Sequence, residues 1–184
     1  MKLAIVVGHN ARAQGAVRPD TGETEFAWNS KLAGLIEDEA RLFPQIKVQT
    51  FFREHCGSYR REIEAVYGKV DAWGADVSNE LHFNSHSNRA ATGTEVLSSG
   101  SPTSMRYAQA LQNRMGEALG LKDRGVKIRR HERGSESLMS GRAPAVLIEP
   151  FFGSSPLGQA KTDEEHEQRA LARSILQATQ DAFL

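Results

Sequence analysis

Two short apolar runs constrain the fold more than any other feature of this sequence. One comprises residues 3–7 (LAIVV), and the other comprises residues 144–148 (PAVLI). Both runs are short, continuous and rich in branched aliphatic residues, which is typical of strands that are buried on both faces. A strand of this kind needs helices on both sides of its sheet, so the sequence predicts an α/β fold.

Segments with helical spacing of apolar residues alternate with further strand-like segments. The helical segments are residues 22–43, 59–73, 101–120 and 162–184, and the further strands are residues 46–52, 75–85 and 94–99. Thr24 is the expected N-cap of the first helix, and Thr162 with Glu165 has the pattern of a capping box for the last helix. The alternating order predicts one sheet covered by helices.

Composition limits the classes of function. The 184 residues fit a single domain, and 23 basic residues balance 23 acidic ones, so the charge favours neither nucleic acid nor an anionic membrane as the main partner. The single cysteine, Cys56, excludes an internal disulfide and a multi-cysteine zinc cluster, so any metal must use His, Asp or Glu. The apolar segment near the N-terminus is too short for a signal peptide, and we expect synthesis in the cytoplasm without stable membrane association.

Polar residues stand where the predicted elements begin or end. His9 follows the first strand and Gly8, which places it at the crevice outside the strand ends, although a hydrogen-bonded loop histidine is the alternative. Glu25 shares the apolar stripe of the first helix with Trp28 and Leu32. A buried carboxylate there needs a cation, whereas an ordinary first-turn glutamate would be stabilised by the helix dipole alone.

Two more polar residues belong to later strands. Glu80, His82 and Asn84 share one face of the predicted strand, and Glu149 closes the second apolar strand without an evident cationic partner. Two histidines and a glutamate from separate elements are typical of catalytic zinc sites that leave the fourth position for water, and a further carboxylate can serve as the general base. Because the chain lacks a local HExxH motif, the residues alone leave metal-binding and structural roles open.

Five sequence blocks in a fixed order point to a known family. They are IVVGH (5–9), EFAWN (25–29), LHFNS (81–85) followed by GTEV (93–96), RGVK (124–127) and PAVLIEPFFGS (144–154). In this order they resemble the blocks of the zinc-dependent N-acetylmuramoyl-L-alanine amidases of the amidase type 3 family. These enzymes cut peptidoglycan between N-acetylmuramic acid and the L-alanine of the stem peptide.

The resemblance implies a fold, a metal site and a substrate. The fold would be a single twisted mixed sheet flanked by helices on both faces, with residues 1–184 forming one catalytic domain. His9, Glu25 and His82 would hold Zn²⁺, and Glu149 would act as the general base and then as the acid. The partner would be peptidoglycan and not nucleic acid, and we expect a monomer.

The chain departs from the family pattern in three places. It lacks the Asp-Pro before Gly-His and the glycine after it, Glu80 replaces the usual serine, and residues 128–143 form a longer link that we expect to wall the substrate groove. Candidates for substrate contact are Asn84, His86, His131 and Arg133, for each of which an ordinary surface role is the alternative.

Two other classes of function remain open at this point. The same metal set could serve a cytosolic zinc amidohydrolase of small acyl amino acids, or zinc could be a structural staple in a non-catalytic wall-binding module. The presence of Glu149 argues against the second class. The expected lack of a signal peptide favours a phage or prophage lysis enzyme that acts on the cell wall after release or export.

Overall fold

The computed structural model describes residues 1–130, 132 and 135–184. The strands are β1 (Lys2–Val7), β2 (Lys47–Phe52), β3 (Val77–Leu81), β4 (Thr94–Ser98), β5 (Asp123–Ile128) and β6 (Ala145–Glu149). The helices are α1 (Glu25–Glu39), α2 (Tyr59–Trp73), α3 (Pro102–Leu119), α4 (Glu136–Met139), α5 (Pro156–Gln159) and α6 (Glu165–Phe183), and a short 3₁₀ helix (Ala40–Leu42) follows α1.

The strands form one mixed sheet in the order β2-β1-β3-β6-β4-β5. All neighbouring pairs are parallel except β4 and β6, which are antiparallel. Leu81 in β3 pairs with Val7 of β1 on one side and with Ile148 of β6 on the other. The carboxyl ends of these three strands therefore meet at one edge of the sheet, where the residues that follow them lie side by side.

Helices cover both faces of the sheet. Leu3, Ile5 and Val7 of β1 belong to the core that includes α1, α3 and α6, whereas Ala4 and Val6 pack on α2. Because successive strand residues point to opposite faces, this division explains why residues 3–7 of β1 are all apolar. The predicted α/β fold with helices on both faces is confirmed.

Most predicted helix starts are confirmed, but the start of the last helix is wrong. Thr24 caps α1 by accepting a hydrogen bond from the backbone N–H of Ala27 at 3.2 Å. The capping box of α6 uses Glu164 and Glu167 and not Thr162 and Glu165. Thr162 is buried before the helix, where its hydroxyl donates to the carbonyl of Gly158 at 2.9 Å. The threonine therefore completes the turn after α5.

The RGVK segment forms a strand that the sequence did not predict. Residues 124–127 lie within β5, which pairs with β4 and forms one edge of the sheet in the described part of the chain. An edge strand with half-exposed residues needs no apolar alternation, so periodicity gave no signal for it.

Among the described residues, no helix combines the length and hydropathy needed to span a membrane.

Candidate metal and catalytic site

His9, Glu25 and His82 converge at the carboxyl edge of the sheet. One ligand atom from each of the three side chains lies within 4.8 Å of the other two. Nε2 of His9 is 3.1 Å from Oε2 of Glu25, and Nδ1 of His82 is 2.8 Å from Oε1 of the same carboxylate. The fold thus brings together three side chains that are up to 73 positions apart in the sequence.

Backbone groups fix the carboxylate of Glu25 between the two imidazoles. The backbone N–H of Phe83 donates to Oε1 at 3.1 Å, and the backbone N–H of Ala16 donates to Oε2 at 3.2 Å. Burial opposes ionisation of Glu25, but His82 and His9 outweigh it and lower the pKa of Glu25 to about 2. The site therefore presents a fixed, ionised carboxylate.

The backbone is closely packed around the three side chains. His9 has a φ of 66°, in the left-handed region that residues other than glycine rarely adopt, and this conformation turns its imidazole toward Glu25. A Cβ on Gly8 would lie 2.4 Å from Nε2 of His82, and a Cβ on Gly15 would lie 2.6 Å from Nε2 of His9. Both positions therefore need glycine to let the main chain approach the imidazoles.

The donor set fits a divalent zinc ion. Two imidazoles and one carboxylate come from three separate elements, as in catalytic zinc sites with an open fourth position. Burial opposes the charged form of His82, but Glu25 and Glu80 raise the pKa of His82 to about 10. Three carboxyl groups, those of Glu25, Glu80 and Glu149, lie around His82. Their combined negative charge favours a cation between the imidazoles, and a metal ion is such a cation.

Glu149 lies at the end of β6 beside the three converging side chains. The side-chain amide of Asn84 donates to Oε2 of Glu149 and, at 3.2 Å, to Oε1 of Glu95. Burial raises the pKa of Glu149 to about 7, and the negative charges of Glu95 and Glu25 add to the shift against the opposing charge of His82. A carboxyl with a pKa near neutrality is suited to both accepting and donating a proton.

Glu95 is a residue of this site that sequence reasoning missed. It pairs with Glu149 across the antiparallel strands β4 and β6, and its Oε2 accepts from Nε of Arg124 and from Nζ of Lys127, each at 2.6 Å. Burial opposes ionisation of Glu95, but Lys127 and Arg124 lower its pKa. Glu95 belongs to the GTEV block, and Arg124 and Lys127 belong to the RGVK block. The strand pairing shows that the two blocks together place a charged carboxylate beside Glu149.

The predicted substrate contacts stay predictions. Asn84 points its amide at Glu149 and Glu95, so the structure suits it to holding these carboxyl groups. His86 is exposed, and its Nδ1 accepts from the backbone N–H of Asn88 at 2.9 Å. His131 and Arg133 lie outside the described residues.

The comparison with protein-family models decides the family. The model of the amidase type 3 family, described as N-acetylmuramoyl-L-alanine amidase, matches residues 3–181. The chain belongs to this family. It is an amidase that hydrolyses an amide bond of peptidoglycan. This membership favours catalysis over wall binding alone, and peptidoglycan over small acyl amino acids.

Solved amidase structures share the fold over nearly the whole chain. An N-acetylmuramoyl-L-alanine amidase from Clostridium difficile 630 is 23% identical, with a TM-score of 0.83, over 98% of this chain and 95% of that one. The catalytic domain of CwlV from Bacillus (Paenibacillus) polymyxa var. colistinus is 24% identical, with a TM-score of 0.81, over 98% and 97% of the chains. A search of curated proteins found no match.

An endolysin is also similar. The catalytic domain of the CD27L endolysin, described as targeting Clostridium difficile, is 26% identical to this amidase. The TM-score is 0.84, and the match covers 98% of this chain and 97% of that one. The fold of this amidase is therefore shared with an enzyme named for lysis as well as with the two amidases above.

The raised pKa of Glu149 predicts that Glu149→Gln stabilises the metal-free protein at alkaline pH. The folded-state pKa is about 7 against an ordinary value of 4.5, so the stability that the protonated carboxyl contributes is fully present below pH 4.5 and is lost as the pH rises through 7. Because glutamine cannot ionise, the variant should exceed the wild type by about 1–3 kcal/mol near pH 8. Denaturant unfolding with a chelator, at about pH 4 and pH 8, measures this difference. An equal difference at both pH values would contradict it.

Proposed function

We propose that this amidase is a zinc enzyme in which His9, Glu25 and His82 hold the metal and Glu149 is the general base. The observation that carries the proposal is the Glu25 carboxylate, which is buried and fixed by backbone N–H groups with one imidazole at each oxygen. Glu149 lies beside this group without belonging to it, and its pKa of about 7 suits proton transfer. Ligands and catalyst are therefore different residues.

The bound metal has a limited role in this proposal. A zinc ion held by the two imidazoles and the Glu25 carboxylate would supply a Lewis acid for the scissile carbonyl and for the attacking water. The protein supplies the positions of the other groups. Asn84 donates to Oε2 of Glu149 and so orients the carboxyl, while Glu95, held by Arg124 and Lys127, keeps a negative charge beside it.

Glu149 moves one proton in two stages. Its ionised carboxylate accepts a proton from the water as the water oxygen bonds to the amide carbon that joins the lactyl group of muramic acid to L-alanine. The same carboxyl then gives the proton to the alanine nitrogen as the C–N bond breaks. The products are the lactyl carboxylic acid, which then loses its remaining proton to solvent, and the free amino terminus of L-alanine. One group with a pKa of about 7 can perform both transfers of the moved proton.

The single sheet supports treating residues 1–184 as one catalytic domain. β3 lies in the middle of the sheet between β1, from the N-terminal part of the chain, and β6, from the C-terminal part. His9 follows β1, His82 follows β3, and Glu149 ends β6. Separating the N-terminal and C-terminal halves would therefore separate His9 and His82 from Glu149. We propose that this domain acts on peptidoglycan as a monomer.

Glu149→Gln should separate catalysis from metal binding. The variant keeps the shape of the side chain and a hydrogen-bonding amide but cannot accept a proton, so activity should fall by about 100-fold or more. Its zinc content after dialysis should equal that of the wild type. Activity is measured with purified peptidoglycan as the release of L-alanine amino termini without new reducing sugar ends.

The matched variant for this experiment is Glu25→Gln. It makes the same chemical change at a proposed ligand and should lose bound zinc together with activity. Near-normal turnover by Glu149→Gln would show that another group is the base. Full zinc occupancy in Glu25→Gln would show that Glu25 is not a ligand.

We further propose that the enzyme reaches the wall from the cytoplasm as a lysis enzyme. The similarity to the CD27L endolysin supports this proposal. Cytoplasmic expression in a bacterium whose purified wall the enzyme cuts should leave cells intact, and co-expression of a membrane pore former should lyse them. The Glu149→Gln chain with the same pore former is the control. Rapid lysis without the pore former or an export signal would contradict the proposal.

A further inference from the structure

The two ring nitrogens of His82 face two different carboxylates. Nδ1 is 2.8 Å from Oε1 of Glu25, and Nε2 is 3.1 Å from Oε1 of Glu80. Glu80 is 1% exposed and lies at the end of β3, two residues before His82. Its second oxygen, Oε2, is buried and has no hydrogen-bond partner among the described residues.

We propose that Glu80 is a positioning residue for His82 in metal binding. Its carboxylate accepts the Nε2–H of the imidazole and thereby leaves the lone pair on Nδ1, the nitrogen that faces Glu25. This inference rests on the proposed function, because it concerns how one ligand of the proposed zinc site is held.

The physical reason is the tautomer of the imidazole. A neutral histidine carries one N–H, and the nitrogen without it is the only one that can bind a metal. A carboxylate acceptor fixes the N–H on its own side of the ring, holds the ring orientation and increases the basicity of the ligand nitrogen. The loss of such a partner typically weakens metal binding by about 10- to 100-fold.

Two buried polar side chains near Glu80 favour its charged form. They are Ser137 of α4 and Arg53, which pairs with Glu62 at 3.4 Å, and neither forms a hydrogen bond with Glu80 among the described residues. Arg53 is itself 6% exposed, and Ser137 is 1% exposed. A buried serine and a buried arginine favour an ionised group at this position over an apolar one.

Two departures from the family pattern that the resemblance indicates lie near each other. One is Glu80, which stands where the family usually has serine, and the other is the long link of residues 128–143, which contains Ser137. The helix α4 in this link packs against α2 and β6. The expected role of this link as a wall of the substrate groove remains a prediction.

Zinc affinity tests this inference without relying on turnover. The dissociation constant is measured by competition with a fluorescent chelator for the wild type, Glu80→Gln and Glu80→Ser. Glu80→Ser removes the acceptor and should weaken zinc binding by about 10- to 100-fold, whereas Glu80→Gln keeps an acceptor but loses the charge and should weaken it by about 10-fold. Circular dichroism of each metal-free variant checks that it is folded.

Glu39→Gln is the matched control. Glu39 is a buried carboxylate, 6% exposed, at the opposite end of α1, where it pairs with Arg169 and Arg173. This variant loses a buried charge far from the zinc site, so its zinc affinity should stay within about twofold of the wild type. A similar loss of affinity in Glu39→Gln and the Glu80 variants would overturn the inference, because general destabilisation would then explain the effect.

The imidazole N–H gives a second measurement that uses only the wild type. In zinc-loaded protein, ¹H–¹⁵N spectra of the histidine rings should show for His82 a proton on Nε2 that exchanges slowly, because it is bonded to a buried carboxylate. A proton on Nδ1 with Nε2 on the metal would overturn the inference even if the Glu80 variants did not fold.

The outcomes separate this inference from the proposed function. Zinc binding by the wild type with unchanged affinity in both folded Glu80 variants would overturn the role of Glu80 alone. A wild-type chain that binds no zinc would overturn the proposed zinc enzyme, and the role of Glu80 with it.

Discussion

The site depends on one buried anion, the carboxylate of Glu25. This group is 4% exposed, and it can remain ionised there only because each oxygen accepts from a backbone N–H and faces an imidazole. The arrangement explains the left-handed conformation of His9, which the chain tolerates because the conformation brings the imidazole to Glu25. It also explains why the main chain at Gly8 and Gly15 approaches the imidazoles too closely for any other residue.

The sheet topology places the carboxyl of Glu149, the proposed general base, beside this anion. Because β1, β3 and β6 are parallel neighbours, the residues after Val7, Leu81 and Ile148 lie along one edge. The antiparallel partner β4 then places Glu95 opposite Glu149. Burial raises the pKa of Glu149 to about 7, and the negative charge of Glu95 beside it adds to the shift. The same edge of the sheet thus holds one carboxyl with a low pKa, Glu25, and one with a pKa of about 7.

The features that the sequence predicted correctly are those that depend on residues close together in the chain. The apolar strands, the bounds of α2 and the cap at Thr24 all follow from periodicity and hydrogen-bonding chemistry within a few residues, and the structure confirms them. The four site residues lie at element ends, and the structure brings them to one edge of the sheet, although their chemical roles remain proposals. The position of Glu95 beside Glu149 depends on an antiparallel pairing, and the proximity of Ser137 to Glu80 depends on the packing of α4 against α2 and β6. Neither follows from periodicity, because both join residues that are far apart in the chain.

The central claim is that zinc binds His9, Glu25 and His82 while Glu149 stays free for catalysis. The most direct measurement is a crystal structure of the zinc-loaded amidase with anomalous difference maps recorded on both sides of the zinc absorption edge. The account predicts one zinc peak at about 2.0–2.2 Å from an imidazole nitrogen of each histidine and from a Glu25 oxygen, with no bond to Glu149. A zinc ion that is bonded to Glu149 in place of one of these residues, or that lies elsewhere in the chain, would contradict it.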